Sequence, residues 1–361
     1  MGREGGVAIL LTGIIVFIVF GILIIVHEAG HLIAAKKAGI RVEAFSLGMG
    51  KRLFGIAIGG TDYRVSLIPF GGFCQMAGED PHQAKGAKDE FGSKPVGARF
   101  WVVAAGSITN YIFAFLLFSI VFMIGSPVVS NEVGQLLKGY PAEKAGIKTG
   151  DKILSVNGKK VEYWDDIVSE IAKGSLALKP LEMEILRSKE TMIVEVTPEV
   201  STVTNIFNQK ISRPVVGIAP ENKILAVSYN PVKALFYGGK KLIALTAVTY
   251  KSIWLLLTGG MPLKTSVSGP IGIACLIGQA ANMGLVYLIL VMAHISMALA
   301  VFNLLPFPVL DGGHIFFLII EKLRGKPLSV KTQEIIAQAA LVGLISLALF
   351  VSWQDILRII R

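Results

Sequence analysis

The stretch His27-Glu28-Ala29-Gly30-His31 lies where a charge-free apolar run, residues 7–26, gives way to a basic segment. If that run continues as a helix to Ala35, the two histidines are four residues apart and share one helix face. Two such imidazoles suit one tetrahedral zinc ion, and Glu28 then stands beside the metal, where it could take a proton from a water molecule. Ionisable groups cost about 2.5–3.5 kcal/mol each near the centre of a bilayer, so their presence here predicts a function.

Composition indicates a membrane protein with a soluble part. Of 361 residues, 53% are hydrophobic and only 17% are charged, with a mean hydropathy of +0.64, whereas soluble domains average about 25% charged residues. The net charge of +10 comes from lysines and arginines beside apolar runs, which the positive-inside rule explains better than a nucleic-acid patch does. We therefore expect a lipid bilayer and no nucleic acid as partner. Cys74 and Cys275 lie far apart, which supports neither a disulfide framework nor a thiolate zinc site.

The pattern of apolar runs and turns predicts a multi-span α-helical membrane protein with about four transmembrane helices, a membrane-associated β-hairpin loop and an inserted α/β domain. The apolar run before His27 is too long for a signal peptide and no cleavage site follows it, so it should be retained as the first span. The expected parts are a first transmembrane helix (1–38), a cytoplasmic-side β-loop region (39–98), a second transmembrane helix (99–127), the inserted domain (128–200), a linker and amphipathic interface region (201–284), a third transmembrane helix (285–320), a cytoplasmic loop (321–334) and a fourth transmembrane helix with the C-terminus (335–361).

The sequence predicts two β-hairpins, one in the β-loop region and one in the inserted domain. Gly59-Gly60 should join two strands near the metal site, where an edge strand could pair with an extended substrate segment or serve only as structure. Asn157-Gly158 is a strong signal for a type I′ hairpin in the inserted domain. The second span carries small residues at 104–107 and should pack closely on the first, with Asn110 facing inward.

Charge also predicts the orientation of the chain. Basic residues follow the first span and lie again between the third and fourth spans, so both loops should be cytoplasmic. The inserted domain and both termini would then be extracytoplasmic, and the ends of spans one and three that carry the motifs would share one face.

The stretch from Asn303 to His314, NLLPFPVLDGGH, supplies the missing half of the site. Its prolines should end the third helix, and Gly312-Gly313 should allow close backbone approach. Asp311 is then a carboxylate in apolar surroundings, and two histidines with one carboxylate leave a fourth position open for water, as in catalytic zinc sites. The alternatives are that Asp311 only caps a helix, or that His314 is a rival ligand in place of a supporting residue. We expect His294 to serve in packing.

Together these motifs resemble the site-2 protease family of intramembrane zinc metalloproteases, in its bacterial RseP branch. The resemblance rests on HEAGH, on Ser268-Gly269-Pro270-Ile271-Gly272, on the Asn303–Asp311 motif, and on residues 141–158 of the inserted domain, which are similar to a circularly permuted bacterial PDZ domain. We call residues 128–200 the PDZ-like module. One such module is seen where some relatives carry two.

The resemblance implies a bacterial inner-membrane protein in which one Zn2+ ion is held by His27, His31 and Asp311, with Glu28 as catalytic base. It also implies that Asn303 holds the substrate backbone. The implied substrates are single-span membrane proteins, such as anti-sigma factors or signal peptide remnants, and the PDZ-like module would bind peptide termini, filter substrates by size, or act as a mere spacer. Two non-proteolytic alternatives are an inactive membrane scaffold, which would not need Glu28, and a zinc carrier, which would need more polar groups along its spans.

Overall fold

The computed structural model describes residues 3–174, 179–204, 210–262 and 266–360. The chain divides into two compact units. The membrane unit comprises residues 1–121, 232–254 and 263–361, and the inserted unit comprises residues 122–231 and 255–262. The helices in chain order are α1 Arg3–Lys37, α2 Val96–Ile124, α3 Pro141–Lys144, α4 Trp164–Gly174, α5 Pro231–Leu257, α6 Pro270–Met283, α7 Leu285–Asn303, α8 Asp311–Arg324 and α9 Val330–Ile360.

Four of these helices are long and apolar enough to cross a bilayer, which confirms the predicted fold class. The candidate spans among the described residues are Leu10–Lys37, Val96–Ile124, Leu285–Asn303 and Val330–Arg358. Helix α5, with its four lysines, is not among them. The predicted third span stops at Asn303, and a new helix begins at Asp311, because the two prolines between them cannot continue a helix.

The spans pack through small apolar clusters. Val19 and Leu23 of α1 are buried against Ile277 of α6. Phe118 of α2 packs with Met297 of α7 and Leu242 of α5. Phe113 of α2 and Leu288 of α7 also pack against the cluster on α1, so α1, α2 and α7 lie side by side.

A long twisted hairpin follows α1. Its strands β1 Val42–Ile58 and β2 Thr61–Met76 are joined by Gly59-Gly60, both at positive φ, as the predicted hairpin requires. Strand β1 folds back on β2 so that Phe45 pairs with both Tyr63 and Cys74. The last residues of β2 therefore form one edge of a small sheet. This sheet packs against Ala35 of α1 and Val102 of α2.

The inserted unit is a small α/β structure. Its described strands are β3 Ser126–Val129, β4 Val133–Leu136, β5 Lys152–Val156, β6 Lys159–Lys160, β7 Leu181–Arg187, β8 Glu190–Val196, β9 Glu199–Thr204, β10 Lys210–Val215, β11 Ile218–Pro220 and β12 Ile224–Val227. A four-stranded sheet in the order β6-β5-β7-β8 buries Ile153 and Met183 against Ile167 of α4. Asn157-Gly158 connects β5 to β6 with positive φ at both residues, as expected for the type I′ hairpin.

In the described part of residues 201–227, which excludes 205–209, short strands stand where the sequence suggested a linker. Strand β9 pairs with β10, β11 pairs with β4, and β12 pairs with β3. Pro220 is the last residue of β11 and Pro231 the first of α5, positions where a missing N–H is tolerated. The prolines thus mark element ends within the inserted unit.

A buried ion pair stabilises the inserted unit. Arg187 donates two hydrogen bonds to the carboxylate of Asp151, at 2.7 and 2.6 Å. Burial alone would raise the pKa of Asp151, but the guanidinium and the backbone N–H of Lys148 hold that pKa below its usual value.

Candidate metal centre

Three side chains converge where α1, α2 and α8 meet. His27 and His31 lie one turn apart on α1, and Asp311 is the first residue of α8. Nε2 of His27 is 3.3 Å from Nε2 of His31 and 3.3 Å from Oδ2 of Asp311. Nε2 of His31 is 3.6 Å from Oδ1 of Asp311. The helical spacing of the two histidines and the helix break before Asp311 therefore bring together the residues that the sequence singled out.

These separations fit a tetrahedral zinc ion. Ligand atoms at 2.0–2.1 Å from zinc in tetrahedral geometry lie about 3.3–3.4 Å from one another. The two imidazole nitrogens are 3.3 Å apart, and each lies 3.3 or 3.6 Å from a different oxygen of Asp311. Two imidazoles and one carboxylate form the donor set of catalytic sites that keep a fourth position open.

Helix α2 supports each of the three side chains. Nδ1 of His31 lies 2.9 Å from the backbone oxygen of Val102, to which it can donate. The hydroxyl of Ser107 donates to Oδ2 of Asp311 at 3.2 Å. The amide of Asn110 lies 3.3 Å from Nδ1 of His27. Asn110 is fully buried, as its predicted inward orientation requires. Partners of this kind orient metal ligands in proteins.

Two glycines allow α1 and α2 to approach this closely. A Cβ on Gly30 of α1 would lie 2.4 Å from the backbone oxygen of Ala105. A Cβ on Gly106 of α2 would lie 2.3 Å from Nε2 of His31. Small residues at such helix crossings are typical of membrane proteins.

Glu28 lies beside the triad and under the end of β2. Its carboxylate is within reach of the backbone N–H of Cys74, and a Cβ on Gly72 would lie 3.4 Å from its Cγ. The strand edge of β2 is thus next to the carboxylate. Burial and the nearby Glu28 raise the pKa of the Cys74 thiol to about 12, and among the described residues Cys74 is not part of the metal-binding group.

Asp311 is positioned by a tight loop and by an ion pair. A Cβ on Gly312 would lie 2.1 Å from the backbone oxygen of Leu305, and one on Gly313 would lie 2.3 Å from that of Phe307. The chain folds back on itself as the sequence predicted. Further along α8, Glu321 binds Arg99 of α2 in a bidentate pair with distances of 2.5 and 3.1 Å, and both side chains are mostly buried.

The other predicted residues lie outside the triad. Asn303 is the half-buried last residue of α7, and in the described part of the chain its side chain is not hydrogen-bonded to the triad. His314 is one turn beyond Asp311 on α8 and is exposed; it is not part of the metal-binding group. His294 packs edge-on against Phe118 and bonds the backbone oxygen of Leu290 within its own helix, which fits packing.

The sequence did not single out Ser107, Val102 or Arg99 as parts of the site. Ser107 and Val102 face the triad only because α1 and α2 pack at Gly30 and Gly106. The run of small residues on α2 predicted that packing but not which polar atoms it would bring to the triad.

The fold and the site define a multi-pass membrane protein with a site of the zinc-protease type. The sequence model of the family described as Peptidase family M50 matches residues 15–347 of this chain. The chain is 31% identical to the regulator of sigma-W protease RasP of Bacillus subtilis, over 96% of this chain and 99% of that protein. It is 29% identical to the zinc metalloprotease RasP of Geobacillus kaustophilus, over 96% of this chain and 98% of that protein. This chain belongs to peptidase family M50, a family that includes zinc metalloproteases.

A solved PDZ domain from Listeria monocytogenes, 13% identical, matches 25% of this chain and 86% of its own length with a TM-score of 0.20. That score is low, so the family assignment rests on the sequence matches.

Proposed function

We propose that this protein is an intramembrane zinc metalloendopeptidase that cleaves transmembrane segments of single-span membrane proteins. The observation that carries the proposal is that His27, His31 and Asp311 each offer one possible ligand atom and that these atoms lie within 4.8 Å of one another. Glu28 lies beside them. The three converging side chains are the proposed zinc ligands, and Glu28 is the proposed catalytic base.

The chemistry divides between the metal and the chain. A zinc ion bound here would polarise the scissile carbonyl and lower the pKa of water. Glu28 takes a proton from the attacking water and passes it to the leaving amine, the general acid–base role of its position. Ser107 and Val102 hold Asp311 and His31 in place while this happens.

The strand edge at the end of β2 is the proposed substrate cradle. A peptide bond inside a helix is hydrogen-bonded and shielded, so the substrate segment must unwind before attack. An extended segment can add to a sheet edge by backbone hydrogen bonds, and residues 72–74 lie next to Glu28. Asn303 is the proposed second contact, holding the substrate backbone from the end of α7.

The proposed substrates are anti-sigma factors or signal peptide remnants. The Bacillus subtilis relative is named as a regulator of sigma-W, which supports the first class. The PDZ-like module would bind peptide termini or filter substrates by size. In the proposed orientation, the segment after α1 and the turn between α8 and α9 are cytoplasmic. Lysines and arginines cluster after α1 and, around that turn, at Lys322, Arg324, Lys326 and Lys331, as expected on the cytoplasmic side. The PDZ-like module and both termini are then outside the bacterial inner membrane.

The test is the Glu28→Gln variant, reconstituted in lipid with a labelled single-span substrate. Loss of the base should lower the cleavage rate by about 10²–10⁴-fold while the zinc content is unchanged, because Glu28 is not a proposed ligand. The control is Glu43→Gln, an exposed carboxylate on β1, which should cleave normally. Undiminished cleavage by the Glu28 variant would refute the base. Absence of cleavage by the unmodified chain, with zinc bound, would favour the inactive scaffold.

A further inference from the structure

Asn110 of α2 carries an unpartnered polar atom next to the proposed metal centre. Its side chain is fully buried and its Oδ1 has no hydrogen-bond partner. Among the buried side-chain atoms of the described residues, only Nε of Arg64 shares that state. Its Nδ2 faces Nδ1 of His27 at 3.3 Å. The backbone at this position is held from α7, since the hydroxyl of Ser296 donates to the backbone oxygen of Asn110 at 2.8 Å.

A metal on Nε2 of His27 decides which amide atom must face the ring. Binding through Nε2 needs the lone pair on that nitrogen, so a neutral His27 carries its proton on Nδ1. An N–H group facing the NH2 of an amide is two donors in contact. The two ends of an amide have nearly the same shape, and a half turn about its last torsion exchanges them. After that turn, Oδ1 accepts the proton of Nδ1 and the unpartnered acceptor is satisfied.

We propose that Asn110 is a positioning residue whose Oδ1 accepts a hydrogen bond from Nδ1 of His27 and so directs the Nε2 lone pair of that ring toward the metal. The role rests on the proposed function, in which Nε2 of both histidines binds zinc. His31 has the equivalent acceptor in the backbone oxygen of Val102, 2.9 Å from its Nδ1. The backbone oxygen of Gly106 also lies within hydrogen-bond reach of the His27 ring, but of these acceptors only the Asn110 side chain can be removed by substitution.

The test is zinc affinity of the full chain purified in detergent, freed of metal and titrated with Zn2+ against a competing chelator. Asn110→Leu keeps a similar volume and removes the acceptor, and it should weaken zinc binding about 10–100-fold, the usual cost of losing such a partner. Asn110→Asp keeps an acceptor oxygen, and it should bind zinc at least as tightly as the unmodified chain. Ser119→Ala is the control, because Ser119 is an equally buried polar residue of α2 that bonds only within its own helix.

Absorption of the Co2+-loaded protein gives a second reading. The visible bands of Asn110→Asp should match those of the unmodified chain, and those of Asn110→Leu should shift or weaken as the ring of His27 turns. Should Asn110→Leu fail to accumulate in the membrane, Asn110→Ala replaces it in the same comparison.

Two results would overturn the role of Asn110. One is unchanged zinc affinity in Asn110→Leu, and the other is Asn110→Asp binding zinc as weakly as Asn110→Leu, which would mean that an acceptor is not what the site needs. These results differ from failure of the proposed function itself, in which the unmodified chain would bind no zinc at the triad.

Discussion

Gly106→Ala tests whether the helix crossing sets the metal geometry. A Cβ at Gly106 would lie 2.3 Å from Nε2 of His31 and 2.8 Å from Cε1 of His27. Carbon contacts are comfortable at about 3.5–4.0 Å, so the imidazoles and the added methyl group must separate by roughly 1 Å. Zinc–ligand distances tolerate only about 0.2 Å. The variant should therefore lose zinc affinity by at least about 100-fold, more than the loss of a supporting hydrogen bond would cost.

The matched control is Gly97→Ala on the same helix, where a Cβ meets nothing within 4 Å. That change should leave zinc binding intact and stabilise the helix by up to about 1 kcal/mol. The assay is zinc per chain by elemental analysis, with affinity from chelator competition, for both variants and the unmodified protein. Gly106→Ala with the zinc affinity of the unmodified chain would refute the close approach of α2 to the two rings.

Three further predictions follow from buried contacts elsewhere. Gly312→Ala would place a Cβ 2.1 Å from a backbone oxygen of the preceding loop, so it should lower zinc content; full occupancy would contradict that loop geometry. Removing either partner of the Arg99–Glu321 pair should cost about 3–5 kcal/mol of stability, measured by thermal unfolding in detergent. The double variant with the two charges exchanged should recover part of that loss. If both single variants and the double variant are as stable as the unmodified protein, the pair does not stabilise the fold. The pKa of Asp151 is lowered in the folded state, so the stability that this carboxylate contributes is fully present above its unfolded pKa of about 3.9 and is lost as pH falls through the folded pKa. Hydrogen exchange of β5 and β7 in the intact chain should become faster over that pH range. The Asp151→Asn variant should not show this dependence on pH.

The three proposed ligands could be predicted from the sequence because the position of each rests on local geometry. His27 and His31 are four positions apart, which fixes a shared helix face, and the prolines before Asp311 end α7 whatever packs around them. The Gly59-Gly60 and Asn157-Gly158 hairpins were predicted for the same reason, since turn chemistry is local.

The supporting contacts could not be predicted, because they depend on which helix faces meet. Ser107 is an unremarkable polar residue in a run of small residues until α2 packs against α1 and brings it to Asp311. Strands β9 to β12 were missed because short strands between prolines resemble a linker, and only their pairing partners in the inserted unit reveal them. The double pairing of Phe45 likewise comes from tertiary folding of β1 and β2.

The central claim about this protein is that α1 and α8 share one zinc ion. The most direct measurement is zinc per chain in the purified Asp311→Ala variant beside the unmodified protein, after equal exposure to a chelator. The claim predicts about one zinc per unmodified chain and almost none in the variant, because the site would lose one of its three protein ligands. An equal and undiminished zinc content in the two proteins would contradict it.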